Sequence, residues 1–496
     1  MTEVFTFDRW EREIGADDAE ALGRDMPNGA FTALNMMRYR TGLFGPRPGI
    51  KTITVTSMTA GDAVWFDAAT AHQTFYWGLQ GGTAVKSALA QGSAETALGA
   101  VGGNQTRAAS QPDRISGRIL LTNDGDGVYE ISAAVTALDT TYGDDGYTVA
   151  AYRDRVYSPD GTNQYEVYYS AAGDSTTWAA TQFFAVGEDG TIYNLSVIAD
   201  SLYIQKEQAL YILDGSPISG RLRRLGDFKL ERAGFIRTNG HVGYGANEVS
   251  GDPIMIRDRR ARRIAPWMRD YFPSTNNRSL RYDVNDRGTV FGTLANENTN
   301  DDTGILSYEG LWTVHTFGVD INFSAMANVD VVGTAYPESE DVAVIVNNDG
   351  SDPAFYTFNP SLDRPGNTGD NWATVGDAST TPESATWSTG ILDLGDGARF
   401  IVRKVRVWFQ KWDTGSGTAE GFTLGVDAIG DPNASSYTSS STTQAFSEAA
   451  TDGNDVQEYL FGEQGYGTAC QLNFTGVHGV AFRKIKVYYD VERDEP

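Results

Sequence analysis

The stretch Ile192–Leu213, IYNLSVIADSLYIQKEQALYIL, decides the fold. Its apolar run Ile192–Ile198 reaches a polar turn at Ala199-Asp200-Ser201, and an aromatic strand resumes at Leu202-Tyr203-Ile204. A second short break leads to Ala209–Leu213, ALYIL. Tyr147–Ser158, YTVAAYRDRVYS, followed by Glu166–Ser170, EVYYS, has the same layout, with Arg153-Asp154-Arg155 in place of the turn. Runs this short, rich in β-branched and aromatic residues and divided by turn residues, read as strands rather than helices. Their recurrence at about 45–50 residues is the spacing of propeller blades.

Outward from this core the same punctuation continues. Ile53–Thr56, Ala63–Phe66, Thr74–Trp77, Gly117–Thr122 and Val128–Ile131 are further short strands, the last two parted by Asn123–Gly127, NDGDG. Asp160-Gly161, Asp189-Gly190, Asn239-Gly240 and Asp349-Gly350 read as hairpin turns. Phe235–Gly245, Thr289–Leu294 and Val342–Val346 each read as the start of another unit. The 55 glycines are spread between apolar runs, and 24 Tyr, 23 Phe and 10 Trp suit half-buried pleated surfaces.

The expected fold is therefore all-β: a β-propeller of about five to seven blades with an N-terminal arm and a C-terminal, jelly-roll-like β-sandwich. Residues 1–50 read as a short helix, on the spacing of Trp10, Ile14, Ala19 and Leu22, followed by an irregular arm, Asn35–Gly49. Residues 51–365 are assigned to the propeller, the polar stretch 366–383 to a linker and 384–496 to the sandwich. Within the last, Ser435–Thr443 reads as a mobile loop. Of Trp408 and Trp412, one is expected in the core, since Val405, Val407 and Phe409 alternate around Trp408.

With 496 residues the chain exceeds one ordinary core, which favours two or three domains. One cysteine, Cys470, excludes an intrachain disulfide and reads as a buried small residue. The acidic start, Met1–Trp10, lacks a signal peptide's apolar centre, and no run is long enough to span a membrane. These features predict a protein made in the cytoplasm. The formal charge of −26, from 65 acidic and 39 basic residues, opposes generic binding to nucleic acid phosphates. It suits solubility, a salty environment, or a channel wall past which DNA slides by repulsion.

Residue types able to carry chemistry are poorly grouped. The four histidines, His72, His241, His315 and His478, lack metal-ligand spacing, and no HExxH, CxxC, GxSxG or phosphate-binding glycine motif occurs. Asn123–Gly127 and Asn300–Asp302 are acid-rich enough to interest calcium, but tight turns explain both. Ser170–Trp178, SAAGDSTTW, resembles the Asp-box turn of sialidases in composition, with Gly173 preceding Asp174 in reversed order. With 65 acidic residues, carboxylate pairs arise by chance, so glycoside hydrolysis has no specific support. No cofactor, metal or catalytic residue is assigned.

One basic island interrupts this acidic chain. Between Arg221 and Arg287 there are 15 Arg/Lys and 8 Asp/Glu. The densest parts are Arg221, Arg223 and Arg224, then Arg257, Arg259, Arg260, Arg262 and Arg263. Trp267 and Tyr271 follow closely, and Arg38, Arg40 and Arg47 stud the N-terminal arm. Salt bridges to acidic neighbours within the fold are one reading. A second is a subunit or partner interface, because the guanidinium fork pairs carboxylates bidentately and aromatics accompany buried contacts, and contact with DNA is a third.

Three segments resemble the tail nozzle or tail tubular virion proteins of short-tailed bacteriophages. They are the arm Met37–Gly49, MRYRTGLFGPRPG; the block Tyr168–Leu213, where Leu202-Tyr203-Ile204, Lys206, Tyr211, Leu213 and Gly215 follow the motif's order; and Thr389–Gly395, TGILDLG. The resemblance implies a non-enzymatic structural protein of the virion tail. It would form a ring, with a hexamer expected, near the distal end of the DNA channel. Implied partners are other copies, the tail adaptor or portal-proximal proteins, tail fibres or spikes, and genome DNA passing without sequence-specific binding. The rival expectation is a carbohydrate-binding or glycan-cleaving receptor-recognition protein, motivated by Trp408 and Trp412.

Overall fold

A computed structural model describes residues 2–7, 32–34, 36–38, 42–46, 51–53, 63–68, 74–79, 84–89, 96–100, 109–113, 118–123, 127–131, 134–142, 148–160, 162–163, 165–228, 237–238, 241, 243–246, 253–263, 278–284, 290–296, 305–308, 312–315, 323–329, 342–347, 354–358, 385–389, 392–395, 397–411, 420–430, 438–448, 453–461 and 466–492. Every regular element among them is a strand. The chain divides into two compact units. One comprises Met1–Ile50, Ile305–Val319 and Pro360–Pro496; the other comprises Lys51–Gly304 and Asp320–Asn359.

The strands that open the chain are β1 (Thr2–Phe7), β2 (Thr32–Leu34), β3 (Met36–Arg38) and β4 (Phe44–Pro46), and all belong to the first unit. The second unit begins with β5 (Lys51–Ile53). Then come successive antiparallel sheets of four strands: β6 (Ala63–Ala68), β7 (Thr74–Leu79), β8 (Ala84–Leu89) and β9 (Thr96–Ala100); and β10 (Ala109–Asp113), β11 (Arg118–Asn123), β12 (Gly127–Ile131) and β13 (Val135–Asp139). The next two sheets are β14 (Ala150–Tyr152), β15 (Arg155–Pro159), β16 (Glu166–Tyr169) and β17 (Phe183–Ala185); and β18 (Ile192–Ile198), β19 (Ser201–Lys206), β20 (Leu210–Asp214) and β21 (Arg221–Gly226).

They are followed by β22 (Arg237–Thr238), β23 (Gly243–Ala246), β24 (Pro253–Arg257) and β25 (Arg260–Arg263), then by the paired β26 (Arg278–Val284) and β27 (Val290–Asn296). Strands β28 (Ile305–Tyr308) and β29 (Trp312–His315) return to the first unit. The second unit ends with β30 (Phe323–Val329), β31 (Val342–Asn347) and β32 (Ala354–Phe358), whose sheet β5 completes.

The second unit is a β-propeller. First strands of successive sheets are neighbours in the order β6, β10, β14, β18, β22, β26 and β30, and β30 lies beside β6. The ring is fastened by pairing the unit's first strand to its last: Ile53 opposes Phe355, and Lys51 opposes Thr357. Closure of this kind leaves no long open edge around the ring. Adjacent sheets are glued by shared apolar cores. Tyr157 and Val167 of one sheet bury with Leu195, Leu202 and Ile204 of the next, and Ile198, Tyr203 and Ile212 bury with Ile254 and Ile256. Buried polar groups follow the same seams: the Thr148 hydroxyl donates to Asn194 Oδ1 at 3.1 Å and accepts from the Leu195 N–H at 3.1 Å.

In the first unit the remaining strands are β33 (Ala385–Ser388), β34 (Phe400–Lys411), β35 (Glu420–Ile429), β36 (Thr438–Glu448), β37 (Gly453–Leu460), β38 (Tyr466–Gly467), β39 (Ala469–His478) and β40 (Val480–Val491). One sheet runs β3-β4-β40-β34-β37, with β1 also on β40 and β38 on β34. The other contains β28-β29-β2-β33-β39-β35-β36. Alternate residues of both sheets meet in one core built on Trp387, Phe422, Phe474 and Phe482. Trp387 stacks on Phe474 with ring centroids 4.9 Å apart, and Phe474 and Phe482 are 4.8 Å apart. Aromatic clusters of this kind carry much of a core's energy.

Several expectations are corrected. The described strands of residues 1–50 do not form a separate arm. They complete the sheets of the C-terminal unit, because β40 and β33 each expose a ladder of backbone groups that needs a partner; Thr2 opposes Asp490 and Leu34 opposes Thr386. The expected propeller span 51–365 is interrupted by Ile305–Val319, which belongs to the other unit.

The Ser/Thr tract is strand β36 over most of its length, since backbone pairing with β35, such as Val426 opposite Thr442, suits β-branched threonines regardless of polarity. Thr289–Leu294 and Val342–Val346 fall on second strands, β27 and β31, not first ones. Asp189-Gly190 links two sheets, β17 to β18, instead of closing a hairpin. The Trp10–Leu22 helix, the 366–383 linker and Trp412 lie outside the described residues.

Candidate functional site

The densest parts of the basic island fold onto two neighbouring propeller sheets, and Arg223, Arg224, Arg257 and Arg259 pair with acids of the same unit. Arg223 on β21 and Arg259 in the β24–β25 turn converge on Asp214, at 3.8 Å and 3.6 Å. The Ser201 hydroxyl also donates to Asp214, at 2.6 Å. Arg224 reaches Asp189 at 3.0 Å and Asp227 at 2.5 Å, and Arg257 lies 3.7 Å from Asp258. Arg221 and Arg260 are exposed. Arg262 and Arg263 lie opposite Met255 and Ile254 in the ladder, and Arg38 lies opposite Phe44. Arg40, Arg47, Trp267 and Tyr271 are outside the described residues.

Sequence reading missed the acids that organise these arginines. Asp214 ends β20, just ahead of the island in sequence, and Asp189 sits in the more distant β17–β18 link. The hairpin pairing of β20 with β21 could have signalled Asp214; Asp189 comes to Arg224 through the link into the same sheet, which no local pattern marks. The pairs are solvent-exposed on their arginine sides and fix orientation more than they stabilise.

The spaced motif Lys206…Tyr211…Gly215 turns out to lock one blade internally. Lys206 is fully buried, and its ammonium donates to the Val186 carbonyl at 3.2 Å and to the Gly187 carbonyl. Burial pulls its pKa below the usual lysine value, opposed by Asp189 and Glu188. Tyr211 donates its phenolic proton to Asp189, and burial followed by that bond pushes its pKa up. Gly215, at φ +101, makes the turn after β20, where its N–H donates to the Tyr152 hydroxyl at 3.1 Å. Tyr152 in turn donates to the Asp200 carbonyl at 3.0 Å, tying one sheet to the next.

The Ser170–Trp178 segment connects β16 to β17 and is tied to the neighbouring hairpin, where the Ser170 N–H donates to the Val156 carbonyl at 2.9 Å and the Gly173 N–H to the Asp154 carbonyl at 2.8 Å. Asp174 accepts from the Thr176 N–H at 2.9 Å and hydroxyl at 2.7 Å, and from the Thr177 hydroxyl at 2.6 Å. These bonds, Thr177's first, pull its pKa down to about 2. A carboxylate so satisfied is fixed as a turn acceptor and is poorly placed to act as an acid.

In the other unit, Thr389–Gly395 binds backbone to backbone: the Leu392 N–H donates to the Cys470 carbonyl at 2.8 Å and the Cys470 N–H returns at 3.0 Å. Cys470 itself is buried, and burial pushes its thiol up to about 12. His478 on β39 is half-buried, which lowers its pKa. Trp408 faces outward: Val405, Val407 and Phe409 take the inward positions of β34, so strand alternation sends Trp408 to the other face, and Trp412, the other tryptophan of the expectation, lies outside the described residues. No group of three or more potential metal ligands occurs among the described residues. No helix among them is long and apolar enough to cross a membrane.

No protein-family model and no curated protein matches the chain. The chain bears a distant likeness to several solved structures. One described as YCF48 bound to D1 peptide has a TM-score of 0.39 and 11% identity over 63% of this chain and 96% of that one. The Neurospora crassa Pan2 WD40 domain has a TM-score of 0.41 and 10% identity, covering 60% of this chain and 90% of the other.

Proposed function

We propose that the chain is a non-enzymatic wall protein of a tailed-virus particle, the nozzle ring that continues the DNA channel below the adaptor and helps retain and then eject the genome. In this reading the first strands β6, β10, β14, β18, β22, β26 and β30 make seven blades, and the first unit is a two-sheet sandwich. Copies join as a closed ring, with six expected, in the tail of the virion, after synthesis in the host cytoplasm. The acidic excess keeps passing DNA from sticking.

The observation that supports the reading is the use made of the motif that resembles one in nozzle proteins. Lys206, Tyr211 and Gly215 are consumed in bonds that brace one blade and its neighbour, as wall-building residues should be. Quantitative mass spectrometry of virus particles whose genome encodes the chain tests this. A fixed copy number alongside the portal and adaptor is expected; absence from the particle contradicts the proposal.

A second reading, glycan recognition in host attachment, draws on the outward-facing Trp408. Its ring already has Arg406 at 5.0 Å and Lys486 at 5.9 Å, so a sugar would have to displace a cation to stack there. A glycan array decides it: specific binding lost in Trp408→Ala supports this reading, and silence removes it.

A further inference from the structure

The outer face of the sheet containing β34 and β40 differs from the rest of this acidic chain. Strand alternation turns Val405, Val407, Ile485 and Val487 into the core and presents the intervening residues in cross-strand rows. The first row is Val4, Tyr488, Lys404 and Leu460. The second is Thr6, Lys486, Arg406 and Glu458, and the third is Lys484, Trp408 and Val456. Of the six large apolar side chains exposed among the described residues, three lie here: Val4 at 47%, Val456 at 37% and Leu460 at 66%.

The charge on this face is unbalanced. Glu458 is taken by Lys404 at 3.2 Å, and Asp490 by Arg403 at 2.8 Å. Arg406 and Lys486 meet only the ring of Trp408 among the described residues, and the Arg406 Nε, though buried, donates no hydrogen bond. Cations left without carboxylates beside Trp, Tyr and exposed aliphatics have the composition of a protein-binding patch. Aliphatic side chains such as Leu460 offer nothing to a sugar hydroxyl, so a glycan explains less of the face.

We infer that this face seats against an acidic patch on a second copy of the same chain. The argument is charge complementarity: the chain carries −26 overall, and this basic face leaves the remainder more acidic still. A contact between two different patches of identical subunits is heterologous and propagates into a ring when the rotation closes. The inference rests on the ring reading above and names the surface that makes the ring.

The test compares full-length wild type with Arg406→Glu/Lys486→Glu and with Leu460→Asp by mass photometry and sedimentation, with circular dichroism as the fold control. Wild type should assemble, more weakly in about 0.5 M NaCl, and each variant should associate at least about tenfold more weakly while keeping its melting profile. Leu460→Cys gives a second readout, because Cys470 is buried with a raised thiol pKa and stays silent. Alkylation at position 460 should slow severalfold in the assembled form relative to a dilute, dissociated sample.

Variants that assemble as tightly as wild type, with position 460 equally reactive in both states, would overturn the assignment of this face and leave the ring standing. A wild type that is monomeric at every concentration would sink the ring and this surface together. Unchanged assembly with loss of binding to an acidic glycan would also overturn the inference, by giving the face to another ligand.

Discussion

Lys206 Nζ lies 3.2 Å from the carbonyl oxygen of Val186, twenty residues earlier in the chain. The lysine leaves β19 to satisfy the carbonyls of the link that enters its own sheet, so the cation works as a clamp inside a blade. A buried ammonium is costly unless its protons find acceptors, and here backbone oxygens supply them. Removing the ammonium should therefore cost stability in proportion to the acceptors stranded. Lys206→Met, which keeps the volume, should lose about 1–3 kcal/mol, and Lys206→Ala about 3 kcal/mol or more because a cavity is added. Urea unfolding followed by circular dichroism checks both values and their order.

Gly127 enters β12 at φ +125, and a Cβ there would run into the carbonyl oxygen of Asp139 on the paired strand. Both the backbone conformation and the close approach exclude a side chain. Gly127→Ala should destabilise the propeller by about 2 kcal/mol or more. A shift of comparable size in Gly173→Ala, where φ is +72 but nothing lies within 4 Å, would show that conformation alone sets the penalty.

Phe482 is fully buried among Phe422, Phe474 and Trp387, with centroids at 5.3, 4.8 and 6.1 Å. Phe482→Ala should destabilise the first unit by about 3–5 kcal/mol. Because the units have separate cores, calorimetry should show one transition moving down while the propeller's stays in place. A common shift of the whole profile would mean that the units unfold as one.

Acid should act in two windows. The depressed pKa of His478 favours its neutral form in the folded state, so the stability it adds is complete above about 6.5 and declines as pH falls through its lowered folded value. Asp174 likewise has a folded pKa below its unfolded one, so its turn is intact above about 4 and is lost as pH falls through about 2. Carboxyl-carbon and imidazole NMR titrations measure both directly. His478→Gln should flatten the first window, and Asp174→Asn the second.

What the sequence made legible was local. The paired strands around Arg153-Asp154 and Ala199-Asp200 form hairpins at those turns because alternation and turn chemistry act within a dozen residues. Asp189-Gly190 carries the same dipeptide signal yet links two sheets, since a turn residue reports that the chain bends and not which strand it pairs with next.

Pairings across hundreds of residues were out of reach: β1 with β40, and β5 with β32, depend on which ladder edges the finished sheets leave open. A register shift between Val402 and Lys404 resets the inward-facing set of β34 from Phe400 and Val402 to Val405, Val407 and Phe409, and apolar character alone does not report it. The arginine cluster was visible, but Asp214 and Asp189, which receive it, meet Arg223 and Arg224 only once the strands of their sheet pair, and Arg259 joins Asp214 from the neighbouring sheet.

The most direct test of the account is the mass of the full-length chain in solution, measured by native mass spectrometry near physiological salt and checked by electron microscopy. A ring-forming wall protein predicts a single closed assembly of fixed copy number, six, with an open centre. A monomer that persists to high concentration, or an open series of sizes without closure, would contradict it.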